Sequence, residues 1–408
     1  MSRRVASGLT ALGDNTYLCA IRAGMVSIVP LTIIGGLFMI VAYLPVSGWE
    51  KRVEPYLPVL QIPVTATFGL LAVFACFTIA YDMGNRLNQE GVVSAMIATA
   101  IFMMIQVNPQ DQSLVVDGLG SKGLFTAILV ALVCVRVQKL FTDWGVVIRM
   151  PANVPPIVHQ SFLSLVPLFF LVVAFWLLRF VAGVDINAAV QTAFAPLVFA
   201  LNTLPGILVY ALLVTMLWSV GINGDNAVDA VVAPIFLQYL SENVTAMTQG
   251  RPLPYITAYG FFTTFVNVGG TGATVALALC LVNSREPGFR KVSRLSLPTQ
   301  VFQINEPIFF GLPIVLNPVF MVPYVLNALV LTTGTYLLMS WGVISKPFVN
   351  IPWTTPPVIG HYLVTGGDWR AAAWGAVSVV LAMLVYYPFA RAAERQRLRN
   401  EGVAVLPN

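Results

Sequence analysis

The sequence predicts an all-α, polytopic membrane protein with about ten transmembrane helices, and three observations lead there. Hydrophobic residues make up 58% of the 408-residue chain and charged residues 10%, against roughly 25% charged in an average soluble domain. Mean hydropathy is +0.82, and apolar runs recur at bilayer length, about 20 residues each. Basic residues also collect in alternate connections between those runs, the asymmetry that orients helices in a membrane. This composition excludes an ordinary cytosolic globule. A net charge of +5 is too small an excess to argue for nucleic acid as a partner.

Apolar runs at 24–45, 65–82, 92–107, 124–141 and 161–183 give five spans separated by short polar connections. The first lacks the short core and small-residue cleavage site of a secretory signal and reads as a retained helix. After Pro205 the pattern changes. Residues 206–222 still read as a helix, but the segments up to about 317 are short and broken by Gly, Pro and Asn in GINGDNAVDA, VNVGGTGATV and INEPIFFGLP. Irregular backbone at membrane depth is tolerated only where protein buries it or a watery cavity meets it, so the second half is expected to hold a site. Two further spans, 318–343 and 370–390, flank the Pro-rich IPWTTPPVIG. The expected division is therefore 1–205, a regular bundle, and 206–408, the half with broken helices.

Arg3, Arg4 and Arg22, then Arg86, then Arg136, Lys139 and Arg149, then Arg285, Arg290, Lys291 and Arg294, and finally Arg391, Arg395, Arg397 and Arg399 form five basic groups. Lys51, Arg52, Lys122 and Arg179 fall in the alternate loops. This pattern predicts that both termini are cytoplasmic. The four cysteines, Cys19, Cys76, Cys134 and Cys280, lie far apart with no metal or redox spacing and read as quiet thiols.

An acidic residue within a span costs about 2.5 to 3.5 kcal/mol on insertion scales and is a functional candidate by default. Glu306 is the strongest case. It lies in QINEPIFFGLPIVLNP, where Pro307 and Pro313 remove backbone donors and Gly311 permits a bend. Carbonyls and a carboxylate sharing one pocket suit a ligand rich in hydroxyl groups. Asn305 belongs to the same cluster, and either it or a helix N-terminus would satisfy Glu306 if the carboxylate were structural.

The second case is WSVGINGDNAVDA, residues 218–230. Trp218 offers a face for stacking on a sugar, and Asn223, Asp225, Asn226 and Asp229 offer groups for its hydroxyls. The alternative is a helix end with Asp225 capping the next helix. GGTGAT at 269–274 lacks the Lys and spacing of a phosphate loop, and close packing or the bend of a re-entrant hairpin explains it better. His159 and His361, the two histidines, have no partner cysteine or HExxH spacing, so no metal site is expected. Trp353 in PWTTPP reads equally as an interfacial anchor and as a second stacking platform.

Taken together these stretches resemble the membrane subunit, enzyme IIC, of sugar phosphotransferase systems, in the lactose, cellobiose and diacetylchitobiose family. MPANVPPIVHQSF resembles that family's entry to its fifth helix, GGTGATVAL its glycine hairpin, LPTQVFQINEPIFFGLPIVLNP its signature, and PWTTPPVIG the segment before its last helix. The resemblance implies an N-terminal dimerising half, a C-terminal transport half with two re-entrant hairpins, and a homodimer in the bacterial cytoplasmic membrane. It implies that Glu306 binds the sugar and that Trp218 and Trp353 lie beside it. Asn223 stands where diacetylchitobiose-type members have histidine, so GIHG becomes GING; Asn keeps a donor and an acceptor but does not titrate near neutral pH.

The expected function is thus uptake of a β-linked disaccharide of the cellobiose, diacetylchitobiose or lactose type by phosphoenolpyruvate-dependent group translocation. No cysteine lies in a stretch large enough to fold as a phosphocysteine domain, so the donor is expected on a separate enzyme IIB subunit. This chain would bind and translocate, with no catalytic residue and no cofactor of its own. Two other classes compete: an ion-coupled secondary transporter using Asp225, Asp229 and Glu306, and a membrane sensor that binds sugar without moving it.

Overall fold

The computed structural model describes residues 15–43, 48–148, 150–151, 162–312 and 314–400, and is helical throughout with no β-strand among them. His159, Arg149 and Pro313, and most of the MPANVPPIVHQSF stretch, lie outside the described residues. Among the described residues, five helices are long and apolar enough to cross a membrane: Thr16–Ala42, Lys51–Arg86, Ser121–Asp143, Pro318–Ser340 and Trp369–Arg399. A sixth span results if Leu165–Val181 and Ile186–Leu201, which meet at 86°, are one broken crossing. Gly91–Ile105 and Leu204–Ser219 are apolar but shorter.

The chain divides into two compact units, one from residues up to 35, 62–198 and 229–241, the other from 36–61, 199–228 and 242 onward. In the first unit, α1 (Thr16–Ala42), α2 (Leu57–Phe68), α3 (Leu71–Arg86), α4 (Gly91–Ile105) and α5 (Leu124–Asp143) supply most of the mass. Glycine sets how closely they approach. A Cβ on Gly24 of α1 would fall 2.3 Å from Ile79 Cγ1 of α3, and the Thr78 hydroxyl donates to the Gly24 carbonyl at 3.0 Å, so a small residue brings the two backbones together. Between α4 and α5 the Ser94 hydroxyl donates to Gln138 Oε1 at 2.7 Å. Beyond α5 come α6 (Leu165–Trp176) and α7 (Ile186–Leu201), separated by a π-helical turn, Leu177–Val181. Arg179, assigned from sequence to an alternate loop, sits buried in that turn and pairs with Asp185 at 3.5 Å.

The second unit is built on α8 (Leu204–Ser219), α10 (Thr274–Leu281), α13 (Pro318–Ser340) and α15 (Trp369–Asn400), with α9 (Gly224–Thr248) contributing its two ends. Helices α11 (Pro287–Gln300), α12 (Glu306–Gly311) and α14 (Ile359–Val364) fill the intervals. The Trp374 indole donates to the Thr335 hydroxyl at 2.9 Å across α15 and α13, beside Gly334, where a Cβ would lie 2.9 Å from the same indole. Irregular backbone concentrates in this unit, as expected from its Gly, Pro and Asn content. Residues Phe261–Val266 form a π-helical segment, and Gly260, Gly269, Gly270, Gly272 and Ala273 all have positive φ.

Candidate functional site

The site grows from the end of α8. The helix stops at Ser219 and reverses through Gly221, whose φ of +87° favours glycine. Asn223 then caps α9, its Oδ1 accepting from the Asn226 N–H at 3.0 Å. The sequence alternative gave that cap to Asp225. The structure instead places Asp225 one residue inside the helix, free to work elsewhere.

Asp225 is a hub. Its Oδ2 accepts from the Trp218 indole N–H at 2.8 Å and from the Thr271 hydroxyl at 2.7 Å, and its Oδ1 accepts from Asn267 Nδ2 at 3.3 Å. One carboxylate therefore ties the end of α8 to the glycine turn at 269–274. The turn is held from three further directions. Gln303 Oε1 accepts from the Gly269 and Gly270 N–H groups at 2.6 and 3.3 Å, Asn305 Nδ2 donates to the Thr271 carbonyl at 3.1 Å, and the Tyr386 hydroxyl donates to the Gly272 carbonyl at 2.7 Å. The ring of the fully buried Tyr324 presses on Gly272, where a Cβ would lie 2.3 Å from its Cδ2. Trp218 is itself buried, edge to face with Phe309 of α12 at 5.0 Å.

Glu306 follows the buried Asn305 and opens α12. It is exposed, and its carboxylate makes no hydrogen bond or ion pair among the described residues. The contrast with Asp225 is chemical: one carboxylate is saturated by protein donors, while the other stands on a rigid base with its acceptors unused. Trp353 is 55% exposed and belongs to a different segment, residues 344–358, which takes no part in the Asp225 network.

That segment is anchored all the same. Asn243 Nδ2 donates to the Pro347 carbonyl at 2.7 Å, the Phe348 N–H donates to the Val364 carbonyl at 3.1 Å, and Asp368 accepts from the Ser345 N–H at 2.8 Å. Lys346 reaches the Leu253 carbonyl at 2.7 Å, and burial lowers its ammonium pKa from the ordinary lysine value. His361 is fully buried, edge to face with Phe265 at 4.5 Å and packed where Gly375 leaves room. Sequence reasoning did not single out Gln303, Asn267, Thr271, Tyr324 and Tyr386, which hold Asp225 and the glycine turn. The run of amides in QVFQINEP was the available signal for Gln303. Nothing local marks the two tyrosines, which come from distant helices.

The second unit thus joins a clamped glycine turn to an adjacent carboxylate that has no protein partner among the described residues. The chain belongs to the phosphotransferase system EIIC family, whose model matches residues 22–328. It is 33% identical to the cellobiose-specific EIIC component of the phosphotransferase system from Geobacillus stearothermophilus, over 96% of this chain and 92% of the relative. It is 30% identical to the lactose-specific EIICB component of Streptococcus mutans, over 96% of this chain and 71% of the relative. Among solved structures it is similar to the transporter ChbC, the IIC component from the N,N'-diacetylchitobiose-specific phosphotransferase system. That match has 30% identity and a TM-score of 0.91 over 98% of this chain and 99% of the other. Several apolar helices in a member of this family make it a multi-pass bacterial membrane protein.

Proposed function

We propose that this protein takes up a β-linked disaccharide of the cellobiose, diacetylchitobiose or lactose type by phosphotransferase group translocation. The observation that carries the reading is the exposed, unpartnered carboxylate of Glu306, seated directly after an asparagine that is itself bonded to the glycine turn. Sugar hydroxyls are donors in need of such an acceptor, and hydrogen bonds to a charged group are the stronger kind. Asn305, Asn223 and Asp225 order the surroundings, Trp218 backs the site, and the exposed Trp353 supplies a stacking face. The names of the relatives, specific for cellobiose, lactose and diacetylchitobiose, support the class of sugar.

The finer architecture belongs to the same proposal. About ten membrane-spanning helices, with re-entrant hairpins at the glycine turn and around α12, account for the irregular backbone at 260–274, 301–305 and 314–317. Residues 1–205 serve dimerisation and 206–408 serve transport, with both termini and the Arg285 to Arg294 segment in the cytoplasm. The phosphate comes from a phosphocysteine on a separate IIB subunit, and a relative that is an EIICB component supports that pairing. Ion coupling through Asp225 is disfavoured, because three protein donors already occupy its carboxylate.

Vesicles containing the protein test this. With phosphorylated IIB on the cytoplasmic side, cellobiose supplied from the opposite side should arrive as cellobiose phosphate, and without IIB no sugar phosphate should form. Accumulation of free sugar driven by an ion gradient would refute the proposal.

A further inference from the structure

A cavity of about 470 Å³ lies in the first unit, and none of its lining residues belongs to the site above. Its walls come from the end of α3, the turn into α4, the end of α5 and the start of α6. Asn85, Asn88, Gln89, Glu90, Gln138 and Thr142 supply its polar lining. The volume falls within the range of about 300 to 1,000 Å³ typical of small-molecule sites.

The lining is built rather than incidental. Gln138 is 4% exposed, and its Oε1 is held by the Ser94 hydroxyl at 2.7 Å. The other end of the amide has no hydrogen-bond partner among the described residues and lies on the cavity wall. Gln89 is pinned by the Thr142 hydroxyl, which donates to its Oε1 at 3.1 Å. Asn88 is in the left-handed region at φ +55°, which asparagine tolerates better than most residues. Asn85 keeps its amide at the rim only because residue 91 is glycine: a Cβ there would lie 2.6 Å from Asn85 Oδ1.

The chemistry selects a ligand. Carboxamides, a hydroxyl and the Glu90 carboxylate provide interleaved donors and acceptors. No lysine or arginine is among the described residues that line the cavity, and nearby Lys139 pairs with Asp143 at 2.6 Å and Arg86 with Asp82. Glu90 disfavours an anion and the amides disfavour an apolar molecule. We propose that this cavity is a second ligand site, separate from that at Glu306, and that it takes a neutral polyhydroxylated molecule of sugar size. The ligand is either the transported sugar or an unrelated polyol, and both bind through the same hydroxyl chemistry.

Purified full-length protein in nanodiscs, titrated by calorimetry with cellobiose, glucose, sorbitol and inorganic phosphate, tests the assignment. At least one of the three neutral probes should bind in the Glu306→Gln background. Gln138→Leu should weaken that binding by at least tenfold. Because Gln138→Leu also breaks the bond to Ser94, Asn85→Leu provides a second variant at an exposed position with no side-chain hydrogen bond among the described residues to lose. It should weaken the same binding severalfold with an unchanged melting temperature. Binding of cellobiose alone would identify the transported sugar as the ligand, and binding of sorbitol or glucose as well would identify a general polyol site. The inference is overturned if no neutral probe shows binding sensitive to Asn85→Leu, or if phosphate is the probe that this variant weakens. Failure of Glu306→Gln to reduce cellobiose binding would instead count against the primary site.

Discussion

Removing Asp225 should loosen the glycine turn and with it the base on which Glu306 stands. The carboxylate accepts two short bonds, from Trp218 at 2.8 Å and Thr271 at 2.7 Å, and a longer one from Asn267 at 3.3 Å. Hydrogen bonds to a charged acceptor contribute about 1.5 to 3 kcal/mol each. Asp225→Ala removes all three and strands the buried Trp218 N–H, so the expected loss is about 4.5 kcal/mol, with the partial exposure of Asp225 favouring the low end for each bond. Asp225→Asn behaves differently. Its amide oxygen in the Oδ2 position can still accept from both the indole and the Thr271 hydroxyl, and its NH2 in the Oδ1 position can donate to Asn267 once that side chain turns its otherwise unpartnered Oδ1 toward it. Only the charge assistance is lost, and a charge-assisted bond is roughly twice as strong as a neutral one, so about 2 kcal/mol is expected. Unfolding of the purified protein in detergent, followed by denaturant titration, measures both. A double-mutant cycle with Thr271→Val should return a coupling of about 1 kcal/mol. If Asp225→Ala unfolds with the parent protein, the hub does not hold the turn and the account of the site's rigidity fails.

Three shorter predictions follow from the same geometry. Gly272→Ala places a Cβ against the buried Tyr324 ring at a backbone φ of +74°, so steric overlap adds to left-handed strain of roughly 1 to 2 kcal/mol; a clear drop in thermal midpoint is expected, and an unchanged midpoint would refute the close approach. Asn223→His should alter preference among cellobiose, lactose and diacetylchitobiose in competition binding. It should also cost about 1 kcal/mol in stability, because the Asn223 cap on α9 is lost. Reversing the exposed Arg290 and Lys291 to Glu should slow sugar phosphorylation by IIB without changing sugar affinity, since both cations lie on the amphipathic α11 in the segment assigned to the cytoplasm. Equal phosphorylation rates would remove this helix from the docking surface.

Much of the helical architecture was legible because apolar runs of bilayer length have one economical structure. The run at 318–343, for example, corresponds to α13 at Pro318–Ser340. Helix breaks were visible as Gly, Pro and Asn clusters, but the partners that stabilise them were not. Nothing in GGTGAT announces that Asp225 lies 46 residues away in the chain and still receives the Thr271 hydroxyl. Arg179 shows the same limit from the other side: read as a loop cation, it is buried in a π-helical turn because Asp185 is within reach. Trp218 read as a stacking face, and Trp353 equally as a stacking platform and as an interfacial anchor. Their environments differ, one buried with its N–H committed to Asp225 and the other largely exposed, and only folding decides that.

The most direct measurement is equilibrium binding of cellobiose, lactose and diacetylchitobiose to the purified parent and to Glu306→Gln. The substitution keeps the shape and one acceptor of a side chain that bonds to no described residue, so the fold should be untouched. Loss of the charged acceptor should weaken the preferred sugar by about tenfold or more, at roughly 1.4 kcal/mol per factor of ten. Unchanged affinity for every sugar that the parent binds would contradict the assignment of Glu306 to the substrate.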